Sequence, residues 1–164
     1  MSHYPTIYDS MFRTFTACFF ADFPVDWRWL KAQAIAESGL DPLAVSPAGA
    51  RGIMQIMPST WAEVRAALDL ADDPFDPHLS IKAGVYYAAR QYRVWGDERG
   101  MERLRFMFAS YNAGLGNIIK AQRMAKQSDT WASLAEALPL VTGEHARETI
   151  NYIKRIEKIR EELT

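Results

Sequence analysis

The chain has 164 residues, 49% of them apolar and 24% charged, enough to bury the core of one domain and keep a wetted surface. These proportions exclude a disordered chain, a collagen-like chain and a disulfide scaffold. The 19 basic and 20 acidic side chains leave a formal charge of −1, so no global attraction draws nucleic acid or anionic lipid to the protein.

Apolar residues recur at steps of three and four, and strict alternation is scarce, which predicts a mainly helical chain. A first helix is expected over Thr6 to Phe20, with Ile7, Met11, Phe15 and Phe19 as its apolar stripe. The aromatic run from Phe15 to Phe23 lacks a basic leader and an uninterrupted apolar stretch, so it reads as a helix and not as a signal peptide. No stretch approaches the ~18 apolar residues that span a bilayer. Cys18 stands alone, so no internal disulfide forms, and its thiol is expected to be buried. His3, His78 and His145 lack a metal-ligand spacing.

Asp26 suits the N-cap of a second helix, with Trp27, Leu30, Ala34 and Glu37 on one face and Gly39 placed to end it. Leu40 to Pro58 is rich in proline and glycine and reads as an ordered loop, with a short hairpin near Ala50 to Gln55. A loop of that length in a compact domain is more often functional than not. Thr60 and Glu63 have the spacing of a capping box before a third helix. The acidic stretch from Asp69 to Asp76 is a surface connection, and Pro77 opens a long helix ending near Gly96. Further helices are expected over Met101 to Tyr111, Leu115 to Lys126 and Thr130 to Leu138, with Pro139 as a stop. The last runs from about Glu144 to Leu163 on a stripe of Ile150, Ile153, Ile156 and Ile159.

Four short segments carry residues suited to chemistry. Glu37 lies at a helix C-terminus on an apolar face, where desolvation and the helix dipole both favour the protonated form a general acid needs. Gly52-Ile53-Met54-Gln55-Ile56-Met57-Pro58 offers an amide with donor and acceptor at Gln55 and a soft apolar wall at Met57. Ser110-Tyr111-Asn112-Ala113-Gly114 joins a ring and an amide at a helix end, with small residues that leave space. Glu148-Thr149-Ile150-Asn151-Tyr152 places Glu148 and Tyr152 on one helix face, where a phenol could orient a carboxyl. Taken singly, each also reads as an ordinary helix end, core anchor or C-cap.

Their order along one chain resembles the soluble lytic transglycosylase family. The stretch from Glu37 to Pro58 is especially close, including Ser46-Pro47-x-Gly49-Ala50-x-Gly52, and Asp76-Pro77 and Ala83-Gly84-x-x-Tyr87 resemble the family's connecting helix. The resemblance covers roughly residues 24 to 158. Ser110 stands where the family usually has Ala, a departure expected to matter little, and Met1 to Phe23 has no counterpart. The domain layout expected is therefore a helical extension over residues 1–23 packed on a transglycosylase domain over 24–164.

The resemblance implies a mainly helical, goose-type lysozyme-like fold with a short hairpin or loop after the catalytic helix. It implies cleavage of the β-1,4 bond between N-acetylmuramic acid and N-acetylglucosamine in peptidoglycan, without metal or cofactor. Most glycosidases use two carboxylates ~5–5.5 Å or ~6.5–9.5 Å apart. Here Glu37 alone falls in a motif that reads as reactive, and Asp41 more plausibly caps the turn at Pro42. In the family, the substrate's own acetamido group and C6 hydroxyl supply the missing nucleophile, leaving a 1,6-anhydromuramyl end. Glu37 is then the acid and base, with Ser38, Gln55, Met57, Tyr111, Asn112, Glu148 and Tyr152 binding the glycan or orienting Glu37. Two alternatives stand beside this: a hydrolytic muramidase or endolysin on the same fold, using Asp41, and a wall-binding protein without turnover. The expected partner is the glycan strand, with no nucleic acid, no membrane insertion and a monomeric state. The expected place of action is the cell wall, reached as a phage-encoded lysis or virion protein or by another export route.

Overall fold

The structure, a computed structural model, describes residues 4–163. Nine helices are present among these residues: α1 (Asp9–Phe19), α2 (Arg28–Ser38), α3 (Pro58–Leu68), α4 (Pro77–Val94), α5 (Gly100–Ala113), α6 (Leu115–Met124), α7 (Trp131–Ala137), α8 (Pro139–Thr142) and α9 (His145–Glu162). None of the described helices is long and apolar enough to cross a membrane. The chain folds as two compact units. One comprises the residues up to Tyr87 together with those from Ile156 onward; the other comprises Ala88–Arg155.

In the first unit α2 is the central element. Its expected single apolar face is too narrow a description, because every residue from Leu30 to Ala36 is buried, Lys31 and Gln33 included. A helix enclosed on all sides has no wet face. Three of those seven residues are Ala, which lets neighbours approach closely. Trp27, not Asp26, is the N-cap, yet the Asp26 carboxylate still accepts the Arg28 amide at 2.8 Å and so serves the helix start. Gly39, at φ 67°, closes the other end by donating its amide to Ile35.

α1 packs against α2 with Phe12, Phe15 and Thr16 buried, and Phe20 buried just beyond its end. The expected stripe is realised in part: Phe15 is buried and Met11 and Phe19 are half-buried. Ile7 precedes the helix and is 72% exposed, while Phe12 belongs to the buried face. Cys18 lies off the buried face, so its thiol is exposed and not buried as expected. Phe15 meets His78 edge-on at 5.0 Å, and Phe19 meets Tyr86 at 5.4 Å, which docks α1 on the first half of α4.

The loop between α2 and α3 takes the form of two isolated antiparallel bridges, Val45 with Arg51 and Arg51 with Ile56, in place of a hairpin of regular strands. Pro58 sits in the first turn of α3, where its missing amide costs nothing. Thr60 and Glu63 therefore lie inside the helix and do not form a capping box. Gly52 holds the loop against the chain before α4. Its φ is 74°, and a Cβ there would lie 2.2 Å from the carbonyl oxygen of Pro74. Gly52→Ala is expected to cost ~2 kcal/mol or more, from a left-handed backbone and a backbone clash together. Urea denaturation should show a lowered midpoint with an unchanged slope. Met54, wholly buried, packs in the hollow left by Gly84 on α4.

The second unit is built on α5, whose residues Phe106, Met107, Phe108 and Ala109 are buried, with α6 and α7 packed against it. Pro139 ends α7 as expected but also opens the four-residue α8. The expected apolar stripe of α9 is largely realised across the two units: Ile153, Ile156 and Ile159 are buried, and Ile150 is half-buried. Ser110 is more consequential than its small size suggests. Fully buried, it accepts the indole N–H of Trp95 at 2.9 Å, and Trp95 meets Phe106 edge-on at 5.0 Å. An Ala at this position would leave a buried donor unmade.

Candidate active site

Glu37 and Ser38 occupy the last turn of α2, and both are half-buried. The Ser38 hydroxyl donates to the carbonyl of Ile53 at 2.7 Å, with the Ala34 carbonyl at 3.3 Å. This bond ties the end of α2 to the loop that carries Gln55. The loop is closed by a reciprocal pair of backbone bonds, Arg51 N–H to Ile56 O at 3.0 Å and Ile56 N–H to Arg51 O at 3.1 Å. Gln55 lies inside it with φ 49°. Its side-chain nitrogen donates to the carbonyls of Ala44 at 3.1 Å and Gly52 at 2.9 Å. The donor end of the amide is therefore consumed by the loop, and the acceptor Oε1 is the end suited to a ligand. Met57 precedes α3 and is 41% exposed. Asp41 is exposed and accepts the Leu43 amide at 2.9 Å, capping its own turn as expected.

In the second unit, Asn112 stands in the last turn of α5. Its Oδ1 accepts the hydroxyl of buried Thr149 at 2.8 Å, joining the end of α5 to the start of α9. Beside this bond is a cavity of about 300 Å³, with Asn112, Asn117, Thr142, His145, Glu148 and Thr149 among its lining residues. Asn112 and Glu148 are thus brought to one cavity, while Tyr111 and Tyr152 are not among its lining residues. The Glu148 side chain is 71% exposed, with His145 Nδ1 3.9 Å from its carboxylate. Tyr152, one turn on, is buried, so the two residues share a side of the helix but not an environment. Tyr111 is half-buried.

Sequence reasoning passed over Thr149 as a functional position, although it lies within the Glu148-Thr149-x-x-Tyr152 segment. Asn117 and His145, the latter set aside for want of a metal-ligand spacing, also line this cavity and carry no distinctive signal in the sequence. Thr149→Val keeps the shape and removes the hydroxyl that Asn112 accepts. The loss is expected to be ~1–3 kcal/mol, read as a shift in the denaturation midpoint.

The helical architecture is of the lysozyme-like class. Residues 21–134 match the family model described as the transglycosylase SLT domain. The chain is 37% identical over 153 residues to the membrane-bound lytic murein transglycosylase F of Maricaulis maris, an alignment covering 85% of this chain and 32% of that protein. The protein of the same name from Desulfosudis oleivorans is 36% identical over 142 residues, covering 82% of this chain and 30% of that one. The crystal structure of the 70 kDa soluble lytic transglycosylase of Escherichia coli matches with a TM-score of 0.75 at 25% identity, over 97% of this chain and 24% of that chain. The chain belongs to the transglycosylase SLT domain family. It spans about a third, or less, of the length of these relatives.

Proposed function

We propose that the chain is a peptidoglycan lytic transglycosylase with Glu37 as its general acid and base. It cleaves the β-1,4 bond between N-acetylmuramic acid and N-acetylglucosamine. Glu37 donates its proton to the glycosidic oxygen as the bond to the anomeric carbon breaks. The acetamido oxygen of the muramyl residue stabilises the anomeric centre. The Glu37 carboxylate then takes the proton of the C6 hydroxyl as that oxygen bonds to the anomeric carbon, closing the 1,6-anhydro ring. No water is consumed, and Glu37 ends protonated as it began. Ser38 holds the helix end that carries Glu37, and Gln55, Met57, Tyr111, Asn112, Glu148 and Tyr152 bind the glycan or orient the acid. The place of action is the cell wall.

The observation that carries this reading is a half-buried glutamate at the end of α2, tied through Ser38 to the Gln55 loop, in a chain of this family. Support for a single-carboxylate mechanism comes from Asp41, the nearest acid in sequence, which is engaged in its own turn. Mass analysis of products from purified sacculi tests the chemistry. Muropeptides one water lighter than reducing-end products are expected; reducing ends alone would mean hydrolysis.

A further inference from the structure

The turn that carries Gln55 is held from two sides. Gly52 to Gln55 form the loop between the paired residues Arg51 and Ile56, and the Gln55 amide donates to the Gly52 carbonyl at 3.1 Å. Ile53 and Met54 are thus the central residues of a β-turn, and both are wholly buried. The peptide unit between them is the one whose orientation separates type I from type II turns. Neither residue has a positive φ, so the turn has the type I sense. Turning that peptide over would demand a positive φ at Met54, which its side chain opposes.

Both polar atoms of this peptide unit meet a serine. Its carbonyl, from Ile53, accepts the Ser38 hydroxyl at 2.7 Å, and its N–H, from Met54, donates to the Ser80 Oγ at 3.3 Å. Ser38 ends α2 directly after Glu37, whereas Ser80 lies in the first turn of α4 and is 1% exposed. Ser80 comes this close because Gly52 has no side chain: a Cβ there would stand 2.9 Å from the Ser80 Oγ. One turn on, Gly84 makes room for the Met54 side chain, so α4 holds Met54 by backbone and side chain together. Gln55 follows directly, with φ 49° and its side-chain nitrogen spent on Ala44 and Gly52. The direction of its Oε1 therefore depends on the clamped peptide before it.

We propose that Ser80 is a positioning residue for the cleavage reaction: with Ser38 it fixes the Ile53–Met54 peptide unit, and through it the Oε1 of Gln55 relative to the helix end that carries Glu37. The proposal rests on Glu37 and Gln55 serving as described above. At 1% exposure Ser80 has no surface to offer a glycan, so what it supplies is alignment. A misplacement of about 1 Å in a group that orients substrate can lower a rate by about 10²-fold.

The test is steady-state kinetics on soluble, uncrosslinked peptidoglycan strands with Ser80→Ala, Ser80→Cys and Ser80→Thr. Ala removes the acceptor, Cys refills the space with a weak acceptor, and Thr restores the hydroxyl. In Ser80→Ala and Ser80→Cys a fall in kcat of about tenfold to 10²-fold is expected, with KM within about twofold, and Ser80→Thr should return to within about threefold of wild type. Ser80→Cys added to Gln55→Met should lower kcat no further, because the group it misplaces is already gone. Amide hydrogen exchange reads the clamp without turnover: about tenfold faster exchange is expected at Met54 and Gln55 in Ser80→Cys, and near wild-type exchange in Ser80→Thr. Circular dichroism checks that each variant is folded at the assay temperature, and the Cys and Thr pair carries the comparison if Ser80→Ala does not fold. Full recovery in Ser80→Cys, additive losses in the double variant, or unchanged exchange at Met54 and Gln55 would overturn the proposal. Absence of turnover in the wild type, or full turnover in Glu37→Gln, counts instead against the proposed activity, and the exchange measurement still decides the clamp.

Discussion

Glu37→Gln is expected to reduce release of soluble muropeptides from purified sacculi by about 10²–10⁴-fold, the range general acid–base catalysis supplies. The substitution keeps the side chain's size and polarity but leaves an amide that neither donates an acidic proton nor accepts one. Glu37 is only half-buried at the end of its helix, so the fold should tolerate the change. Thermal unfolding of the variant should match that of the parent within a few degrees, about 1 kcal/mol. Wild-type rates in a well-folded variant would remove Glu37 from the mechanism. Asp41→Asn makes the contrast. Asp41 is exposed and bonded to the Leu43 amide, and an Asn oxygen can accept that bond equally well. Turnover near the wild-type rate, with anhydro ends retained, is expected. A collapse of activity in Asp41→Asn would favour a two-carboxylate hydrolase instead.

The largest effect on stability is expected at Asp9. Lys31 on α2 is 2% exposed, and its ammonium group meets the Asp9 carboxylate of α1 at 2.5 Å. Removing one member of a buried ion pair leaves an uncompensated charge, at a cost of ~3–5 kcal/mol. Asp9 itself keeps some solvent contact, so the lower end of that range is expected for Asp9→Ala. The double variant Asp9→Leu with Lys31→Met should recover most of the loss, because an apolar pair of similar volume can replace a buried ion pair without penalty. A denaturant series on the parent, both single variants and the double variant measures this as a coupling energy. Additive losses would mean that the ion pair contributes nothing specific to the docking of α1. The outcome also bears on the expected extension over residues 1–23, of which residues 1–3 lie outside the described residues and the rest we propose to be packed on the transglycosylase domain. α1 buries Phe12 and Phe15 and supplies Asp9, the partner of Lys31, so a chain shortened past α1 should lose solubility along with stability.

Helix positions were legible because they depend on local chemistry. Gly39 stops α2, Pro77 opens α4, and the Ile153, Ile156 and Ile159 stripe runs along α9. These follow from backbone conformation and apolar spacing, which neighbours in sequence largely settle. The errors fall where distant parts of the chain decide. On α1 the expected Ile7 is replaced by Phe12: the two are equally apolar, and the packing of α1 against α2 and α4 selects Phe12. The same selection turned Cys18 to solvent. At α3, Thr60 and Glu63 have the right spacing for a cap, but Pro58 starts the helix two residues earlier.

The residue types of the candidate site, and their order along the chain, were present in the sequence before any coordinates. Glu37, Gln55, Asn112 and Glu148 stand out by position: an acid and an amide at helix ends, an amide in a loop with glycine, and an acid at a helix start. Which atoms of those side chains are available was decided only by tertiary structure. The Gln55 nitrogen is spent on Ala44 and Gly52, and the Asn112 oxygen on Thr149, partners up to 37 positions away. The contact of Asp72 with Trp61 and Arg65 belongs to the same class of fact. It arises because Asp72, reached only after α3 has ended, comes back beside Trp61 and accepts its indole N–H. Spacing along the chain specifies a helix, but hydrogen-bond satisfaction is a property of the folded whole, since each donor is matched by whichever acceptor the packing brings to it.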